Sequence, residues 1–201
     1  MRILINLKHN FFKIRSFFLK LKILLFARNV YFGKNIQIIG ARKFYIGKNS
    51  TIGDSFWLNI NNSGPLDSKK VVYIGSNSNI GRHNFFTVGN NLSIGDYFFS
   101  SCYCSIIGAT HEISNPFKPY IISEVIDLGA GIKIGPNVFM GSHSMISGSL
   151  NIGFGSIIAS GSVVVDDVPP LSVVAGNPAR VIKRFCLSSR KWVSSDSFSE
   201  V

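Results

Sequence analysis

An aliphatic residue followed by glycine or another small residue recurs every six residues over much of the chain. The clearest run keeps this interval through five successive steps, at Ile134, Met140, Ile146, Ile152, Ile158 and Val164. The same pairing with glycine occurs earlier, at Ile46, Ile52, Ile74, Ile80 and Ile94. A further small residue or valine often stands four positions after the aliphatic one, with departures at Phe56, Asn84 and Phe98. The pattern therefore indicates an internal repeat of six residues.

A period of six matches neither the 3.6-residue period of a helix nor the alternation of a plain strand. It is expected where a short strand and a turn repeat around a tube, so that each hexad forms one side of a coil. The aliphatic residue then faces the axis and stacks on its equivalents about 4.8 Å away in neighbouring coils. Glycines that only mark the turns of an ordinary β-sandwich would not keep five equal steps. The sequence thus predicts an all-β solenoid.

Different patterns flank the repeat on both sides. Apolar residues at Phe11, Ile14, Phe18, Leu21 and Leu25 follow 3,4,3,4 spacing, which predicts an amphipathic helix over residues 10–26 within a basic segment, 1–29. This helix has two interpretations: it caps an open end of the solenoid, or it contacts an anionic membrane surface. Residues 185–201 are rich in serine and are predicted to form a loosely held C-terminal tail.

Composition and charge narrow the function classes. The chain has 201 residues, of which 46% are hydrophobic, enough for one domain with a sizeable core. Its net charge of +11 comes from the N-terminal part, because no Asp or Glu precedes Asp54. Since the excess charge lies at one end, we expect no nucleic-acid partner. Three cysteines make no disulfide framework, and no clear signal peptide or membrane-spanning run is present, which favours the cytoplasm.

The hexad is interrupted over residues 112–131, which contain Pro116, Pro119 and two aromatic residues. We predict a protruding loop there, and loops of this length in a compact fold are usually functional. His111 stands immediately before the loop. A lone histidine is more often structural than catalytic, but imidazole, whose ordinary pKa is about 6.5, suits a general base that removes a proton from a hydroxyl group.

These hexads resemble those of the hexapeptide-repeat acyltransferases over about residues 30–184. The segment after Ile158, ASGSVVVDDVPPLSVVAGNPARVIKR, resembles the closing segment of the branch that includes maltose, galactoside and polysaccharide O-acetyltransferases. The resemblance implies a left-handed parallel β-helix with three hexads per turn and a homotrimer with active sites between subunits. It also implies acetyl-CoA as the acyl donor.

Roles for individual residues follow from the same resemblance. His111 falls on the family's catalytic histidine, and the backbone amide of Ser142 on the donor to the oxyanion. The acceptor-side asparagine of the family maps onto His83, next to Asn84, and either residue could bind a sugar hydroxyl. Phe139 replaces a usual tryptophan. The remaining expected cofactor-binding residues are Ala159, Ser160, Asn177, Pro178, Lys183 and Arg184, although the last two cations also fit a role in solubility alone.

The resemblance predicts an O-acetyltransferase that modifies a sugar hydroxyl in bacterial surface polysaccharide, such as O-antigen, capsule or exopolysaccharide, or in its lipid-linked precursor. An alternative is N-acetylation of an amino nucleotide-sugar. A non-catalytic β-helix and a zinc-dependent hydratase of the same fold are further alternatives. His83, His111 and His143 invite the hydratase interpretation, but no histidine pair has the required close spacing, so we expect no metal. The carboxylate that orients His111 stays open between Glu112 and Asp96.

Overall fold

The computed structural model describes residues 29–60 and 72–195, in which short parallel strands wind into a three-sided prism. The strands form three sheets, called here faces A, B and C, and each of the first five described coils contributes one strand to each face. Face A contains β1 (Tyr31–Phe32), β4 (Thr51–Ile52), β7 (Asn79–Ile80), β10 (Phe99–Ser100), β15 (Phe139–Met140), β18 (Ile157–Ile158) and β20 (Ser172–Gly176). Face B contains β2 (Gln37–Ile39), β5 (Trp57–Ile60), β8 (Phe85–Val88), β11 (Ser105–Ile107), β16 (Met145–Ser147) and β19 (Val163–Val164). Face C contains β3 (Phe44–Ile46), β6 (Val72–Ile74), β9 (Asn91–Ile94), β14 (Gly131–Ile134) and β17 (Asn151–Ile152).

The register of the sheets explains the period of six. Equivalent hexad positions pair across neighbouring coils, as in Ile52 with Ile80 and Met140 with Ile158. These side chains are fully buried, and the strand residues before them are at least partly exposed. The aliphatic position of the hexad therefore builds a continuous core along the prism axis, as the sequence predicts.

Each coil passes from face A to face B through four residues, which we call the A–B corner. Its third residue has a left-handed backbone at Ser55, His83, Tyr103 and His143, with φ between +57° and +60°. Its fourth residue is buried at Phe56, Asn84, Cys104, Ser144 and Ser162. Two of the sequence departures, Phe56 and Asn84, thus occupy the inner position where other coils have a small residue.

The predicted loop is an excursion between faces B and C that contains a hairpin. β12 (Ala109–His111) pairs antiparallel with β13 (Val125–Asp127), and a short 3-10 helix occupies residues 120–122. The predicted boundaries of 112–131 are therefore shifted, because the excursion already includes β12 and ends where Gly131 begins β14. Antiparallel pairing between strands of the excursion has no six-residue signature, so the sequence period could not reveal it.

The C-terminal part differs from the predicted tail. β21 (Ala179–Cys186) pairs antiparallel with β20, and β22 (Lys191–Ser194) pairs antiparallel with β21. Residues 185–194 are thus held by backbone pairing rather than loosely attached. The predicted helix over residues 10–26 lies outside the described residues. In the part of the chain that is described, no helix is long and apolar enough to cross a membrane.

Candidate active site

His111 ends strand β12 at the base of the excursion, and its side chain is exposed. Its Nδ1 lies 3.0 Å from the backbone carbonyl oxygen of Ser123, a buried residue that precedes β13. A carbonyl can only accept a hydrogen bond, so Nδ1 carries the proton in a neutral ring. The lone pair is then on Nε2, which leaves that nitrogen free to accept a proton from a substrate.

The two carboxylates considered as partners of His111 have other roles. Glu112 accepts a hydrogen bond from the Ser114 amide at 2.7 Å, and this bond lowers the pKa of Glu112. Asp96 accepts a hydrogen bond from the Ser76 amide, also at 2.7 Å, and so joins neighbouring coils. The group that orients His111 is instead the carbonyl of Ser123. Sequence reasoning missed it because every residue has a carbonyl, and only the hairpin brings this one to the ring.

Ser142 is the second residue of its A–B corner. Its hydroxyl lies 2.7 Å from the hydroxyl of Ser101 in the preceding coil, and its carbonyl accepts a hydrogen bond from the Gly161 amide. Within residues 29–60 and 72–195, its backbone amide has no acceptor. This amide is therefore available to a ligand, as an oxyanion donor must be.

His111 and Ser142 lie at different corners of the prism. Face B begins at the A–B corner, which contains Ser142, and His111 lies on the excursion that follows the other end of this face. The topology of a single chain therefore separates the predicted base from the predicted oxyanion donor by the width of a face.

His83 and Asn84, the two residues predicted to bind the acceptor, have opposite environments. The ring of His83 is exposed and stacks on Tyr103, with ring centroids 4.8 Å apart and planes inclined by 4°. Asn84 is 1% exposed. Its amide group donates to the Ser100 hydroxyl at 2.6 Å and accepts from the Cys104 amide at 2.7 Å. The prediction that Asn84 binds the acceptor is therefore wrong, because this side chain is already bonded inside the prism.

The predicted cofactor residues cluster around one edge of the prism. Outward positions of face A pair in the row Phe139, Ile157, Val173 and Lys183, with Arg184 following Lys183 on β21. Phe139 also stacks on Phe99 at 5.2 Å. Ala159 and Ser160 lie in the next A–B corner, and Asn177 with Pro178 forms the turn between β20 and β21. The structure thus brings together one apolar strip and two exposed cations.

Metal binding finds no support in the described part of the chain. No three His, Cys, Asp or Glu side chains of residues 29–60 and 72–195 lie close enough to share an ion. His83 and His143 are on opposite sides of the Tyr103 ring, and His111 lies at another corner. The three histidines that the hydratase interpretation would need are therefore not assembled within one chain.

Comparison with known proteins places this arrangement in a fold family. No family model matches the chain. A relative from Staphylococcus aureus, which carries a provisional acetyltransferase name, is 35% identical over 74 residues, or 37% of each protein. The galactoside O-acetyltransferase of Escherichia coli is 50% identical over 52 residues, or 26% of each protein. The chain therefore covers well under half the length of these curated relatives.

Solved structures cover more of the chain. An N-acyltransferase from Bacillus cereus, solved as a point mutant with dTDP and coenzyme A, has a TM-score of 0.66 and 24% identity over 79% of this chain and 82% of its own. A galactoside acetyltransferase in complex with coenzyme A has a TM-score of 0.52 and 22% identity over 87% of this chain and 73% of its own. The resemblance to hexapeptide-repeat acetyltransferases is confirmed, and the chain has their left-handed parallel β-helix fold.

Proposed function

We propose that the protein is an acetyl-CoA-dependent O-acetyltransferase whose acceptor is a sugar hydroxyl. The observation that carries the proposal is the hydrogen bond between His111 Nδ1 and the carbonyl of Ser123, which leaves Nε2 as a base at the mouth of the excursion. The fold and the local identity to a galactoside O-acetyltransferase support the reaction class.

The reaction can be written on these residues. Nε2 of His111 removes the proton of the acceptor hydroxyl while its oxygen forms a bond to the thioester carbonyl carbon. The backbone amide of Ser142 donates to the resulting oxyanion. Collapse of this intermediate breaks the carbon–sulfur bond, and the proton held by His111 passes to the departing thiolate of coenzyme A. The products are the acetylated sugar and free coenzyme A.

We further propose a homotrimer, because His111 and Ser142 lie at different corners of one chain and a neighbouring subunit would join the two halves of a site. The row from Phe139 to Lys183, with Ala159, Ser160, Asn177, Pro178 and Arg184, would line the groove for acetyl-CoA. Transfer to the amine of a nucleotide-sugar is the alternative acceptor chemistry, since one structure of this fold is an N-acyltransferase that contains dTDP. The assay therefore includes amino sugars beside hydroxyl acceptors.

Replacing His111 with alanine tests the proposed base. We expect His111→Ala to lower kcat by a factor of about 10² to 10⁴ with acetyl-CoA affinity nearly unchanged, because only proton removal is lost. Turnover is measured as coenzyme A release at saturating acetyl-CoA with oligosaccharide, nucleotide-sugar, amino nucleotide-sugar and lipid-linked acceptors. Light scattering on the same samples should give three times the chain mass of 22.1 kDa.

The matched control is Glu112→Gln, which changes the neighbouring residue and removes a charge. Because the Glu112 carboxylate bonds the Ser114 amide and not His111, this variant should keep nearly the wild-type kcat. Wild-type turnover in His111→Ala would remove this histidine from the mechanism, and a fully active monomer would contradict the shared site.

A further inference from the structure

Lys133 is the only charged residue in the described strands of faces A, B and C. Its side chain points away from the core, since Lys133 is exposed and its neighbours Ile132 and Ile134 are buried. In the part of the chain that the structure describes, its ammonium group has no hydrogen-bond acceptor and no ion-pair partner. The fold needs no cation at this position, because the other outward positions of the faces are neutral. This charge is therefore available to a ligand.

Lys133 belongs to a row of outward side chains that crosses face C. The register pairs Tyr73 with Ser93, Ser93 with Lys133, and Lys133 with Asn151 in successive coils. Paired strands lie about 4.8 Å apart, so the backbones that carry Tyr73 and Lys133 are separated by roughly 10 Å. Only the small, exposed side chain of Ser93 stands between them. The row therefore has a low point between an aromatic ring, 48% exposed, and a cation.

Two shallow depressions of face C meet at this low point. One, of about 280 Å³, extends from Tyr73 to residues 130–131, where the excursion returns to the prism. The other, of about 530 Å³, extends toward the exposed ring of Phe154 at the corner between faces C and A. Because Ser93 and Lys133 line both depressions, they form one groove, which we call the face C groove. None of the site residues predicted from the sequence lines this groove.

The charges around the groove suit a ligand with a single negative charge. The carboxylate of Asp167 accepts hydrogen bonds from the backbone amide of Asn151 at 2.7 Å and from its side-chain amide at 3.2 Å. Asp167 is thus held beside the residue that follows Lys133 in the row, and it would repel a ligand with several negative charges. The backbone amides of Lys133 and Gly135 donate to carbonyls of the next coil, so they cannot bind a phosphate group. One ammonium group therefore fits one carboxylate better than a nucleoside diphosphate.

We propose that the face C groove binds an acidic sugar residue, a pyranose with one carboxylate, in the glycan substrate. The ammonium group of Lys133 binds the carboxylate, the ring of Tyr73 contacts the apolar C–H face of the pyranose, and the hydroxyl of Ser93 bonds to a sugar hydroxyl. That the ligand is a glycan rests on the proposed function. The bound residue is not the one that is acetylated, because neither His111 nor Ser142 lines the groove. It is a neighbouring residue, so the substrate class is restricted to anionic glycans.

The test uses two sugars that differ only in the group at one ring carbon: methyl β-D-glucuronide has a carboxylate there, and methyl β-D-glucopyranoside has a hydroxymethyl group. Their binding to the full wild-type chain is measured by NMR titration without acetyl-CoA. We expect the glucuronide to bind about three- to tenfold more tightly, because only its carboxylate forms a charge-assisted hydrogen bond with Lys133. This preference should shrink as the salt concentration rises, since the ion pair is exposed to solvent.

Two variants change the groove in different ways. Lys133→Gln removes the charge and should bind the two sugars equally. Ser93→Leu fills the low point and should raise both Kd values about three- to tenfold. Because Tyr73 holds the equivalent position one coil earlier, a large side chain is accepted in this row. The matched control, Lys48→Gln, changes an exposed lysine at the corner between faces C and A and should bind like wild type.

The assignment is overturned if wild type fails to prefer the glucuronide, if Lys133→Gln keeps the preference, or if uridine diphosphate binds more tightly than the glucuronide in a way that depends on Lys133. Glucuronide binding that requires Lys133, without acetyl transfer to any glycan, would refute the proposed reaction and leave the groove in place. Acetyl transfer to glycans with no binding of the glucuronide would instead leave the reaction in place and refute the groove.

Discussion

At the scale of single residues, Asn84 shows how a buried polar side chain can form hydrogen bonds that hold neighbouring coils of a β-helix together. Its amide group joins the hydroxyl of Ser100 to the backbone amide of Cys104 inside the prism. The thiol of Cys104 lies 3.2 Å from the carbonyl oxygen of Gly141, and burial raises the pKa of this thiol. These contacts connect polar groups of three coils at the inner corner position, where two later coils have Ser144 and Ser162. Because its pKa is raised, the thiol of Cys104 stays protonated.

We predict that Asn84→Ala destabilises the protein without impairing the acceptor site. The Cys104 amide would lose its acceptor in a buried place, which costs about 1–3 kcal/mol. Urea unfolding followed by circular dichroism measures the loss. The control Asn79→Ala, at an exposed position of face A, should stay within about 0.5 kcal/mol of wild type. A fully stable Asn84→Ala protein with a raised acceptor KM would return Asn84 to the binding site.

The sequence identifies some functional residues and not others for a physical reason. His111 was predicted from the family resemblance and from its place beside the interrupted repeat, and the structure shows its ring oriented by a hydrogen bond. The carbonyl of Ser123 was missed, because a backbone carbonyl has no residue type and no pattern of residues along the chain could indicate it.

At the scale of elements, the short distance between neighbouring coils explains why the hexad contains glycine. Gly81 begins an A–B corner, and a Cβ built there would collide with the carbonyl group of Ser101 in the next coil. The backbones of successive corners pack directly on each other at this position. In each pair, the aliphatic residue therefore marks a side chain that points inward, and the glycine marks a close approach between two coils.

We predict that Gly81→Ala destabilises the protein by about 1–3 kcal/mol, the usual cost of overpacking, because the backbone of the next coil would have to move. Gly108→Ala is the matched control, since its new Cβ would meet no atom nearer than 3.5 Å and makes ordinary contacts. Thermal unfolding of both variants gives the comparison. Equal melting temperatures for the two proteins would show that the corners tolerate a Cβ and that the glycine has another origin.

The period predicted a solenoid of short strands and the resemblance predicted its parallel, three-sided form, but neither predicted the antiparallel strands. β12, β13, β21 and β22 pair outside the coil repeat, so their residues follow no six-residue rule. Their formation depends on partners several residues away along the chain, for example His111 opposite Val125. Only the closed geometry of the hairpin determines that pairing.

At the scale of the whole molecule, charge is divided unevenly along the chain. Eleven of the 21 lysines and arginines lie in residues 1–50, and the rest of the chain from Asp54 has ten basic and ten acidic residues. We propose that the basic N-terminal segment attaches the enzyme to the cytoplasmic face of the inner membrane, where a lipid-linked glycan would be presented. Each cation near an anionic surface contributes about 1 kcal/mol at low salt.

Changing Lys13, Lys20 and Lys22 together to glutamate tests this attachment. The variant should remain folded and lose salt-sensitive sedimentation with vesicles of phosphatidylglycerol and phosphatidylcholine. The same charge change at Lys48, Lys118 and Lys133, which are exposed on the prism and its excursion, should preserve most of the sedimentation. If the wild-type protein never sediments with these vesicles, the membrane proposal fails and the segment is better explained as a cap of the solenoid.

The excursion with His111 leaves the prism and returns to it through adjacent residues. The amide of Gly108 donates to the carbonyl of Thr87, and the amide of Leu128 donates to the carbonyl of Gly108, so the two ends of the detour are joined at one point of the coil. Insertions, deletions or exchanges within the hairpin therefore leave the stacking of the coils unbroken. Sequence changes in the excursion can therefore alter the proposed active site during evolution while the coils keep the same fold.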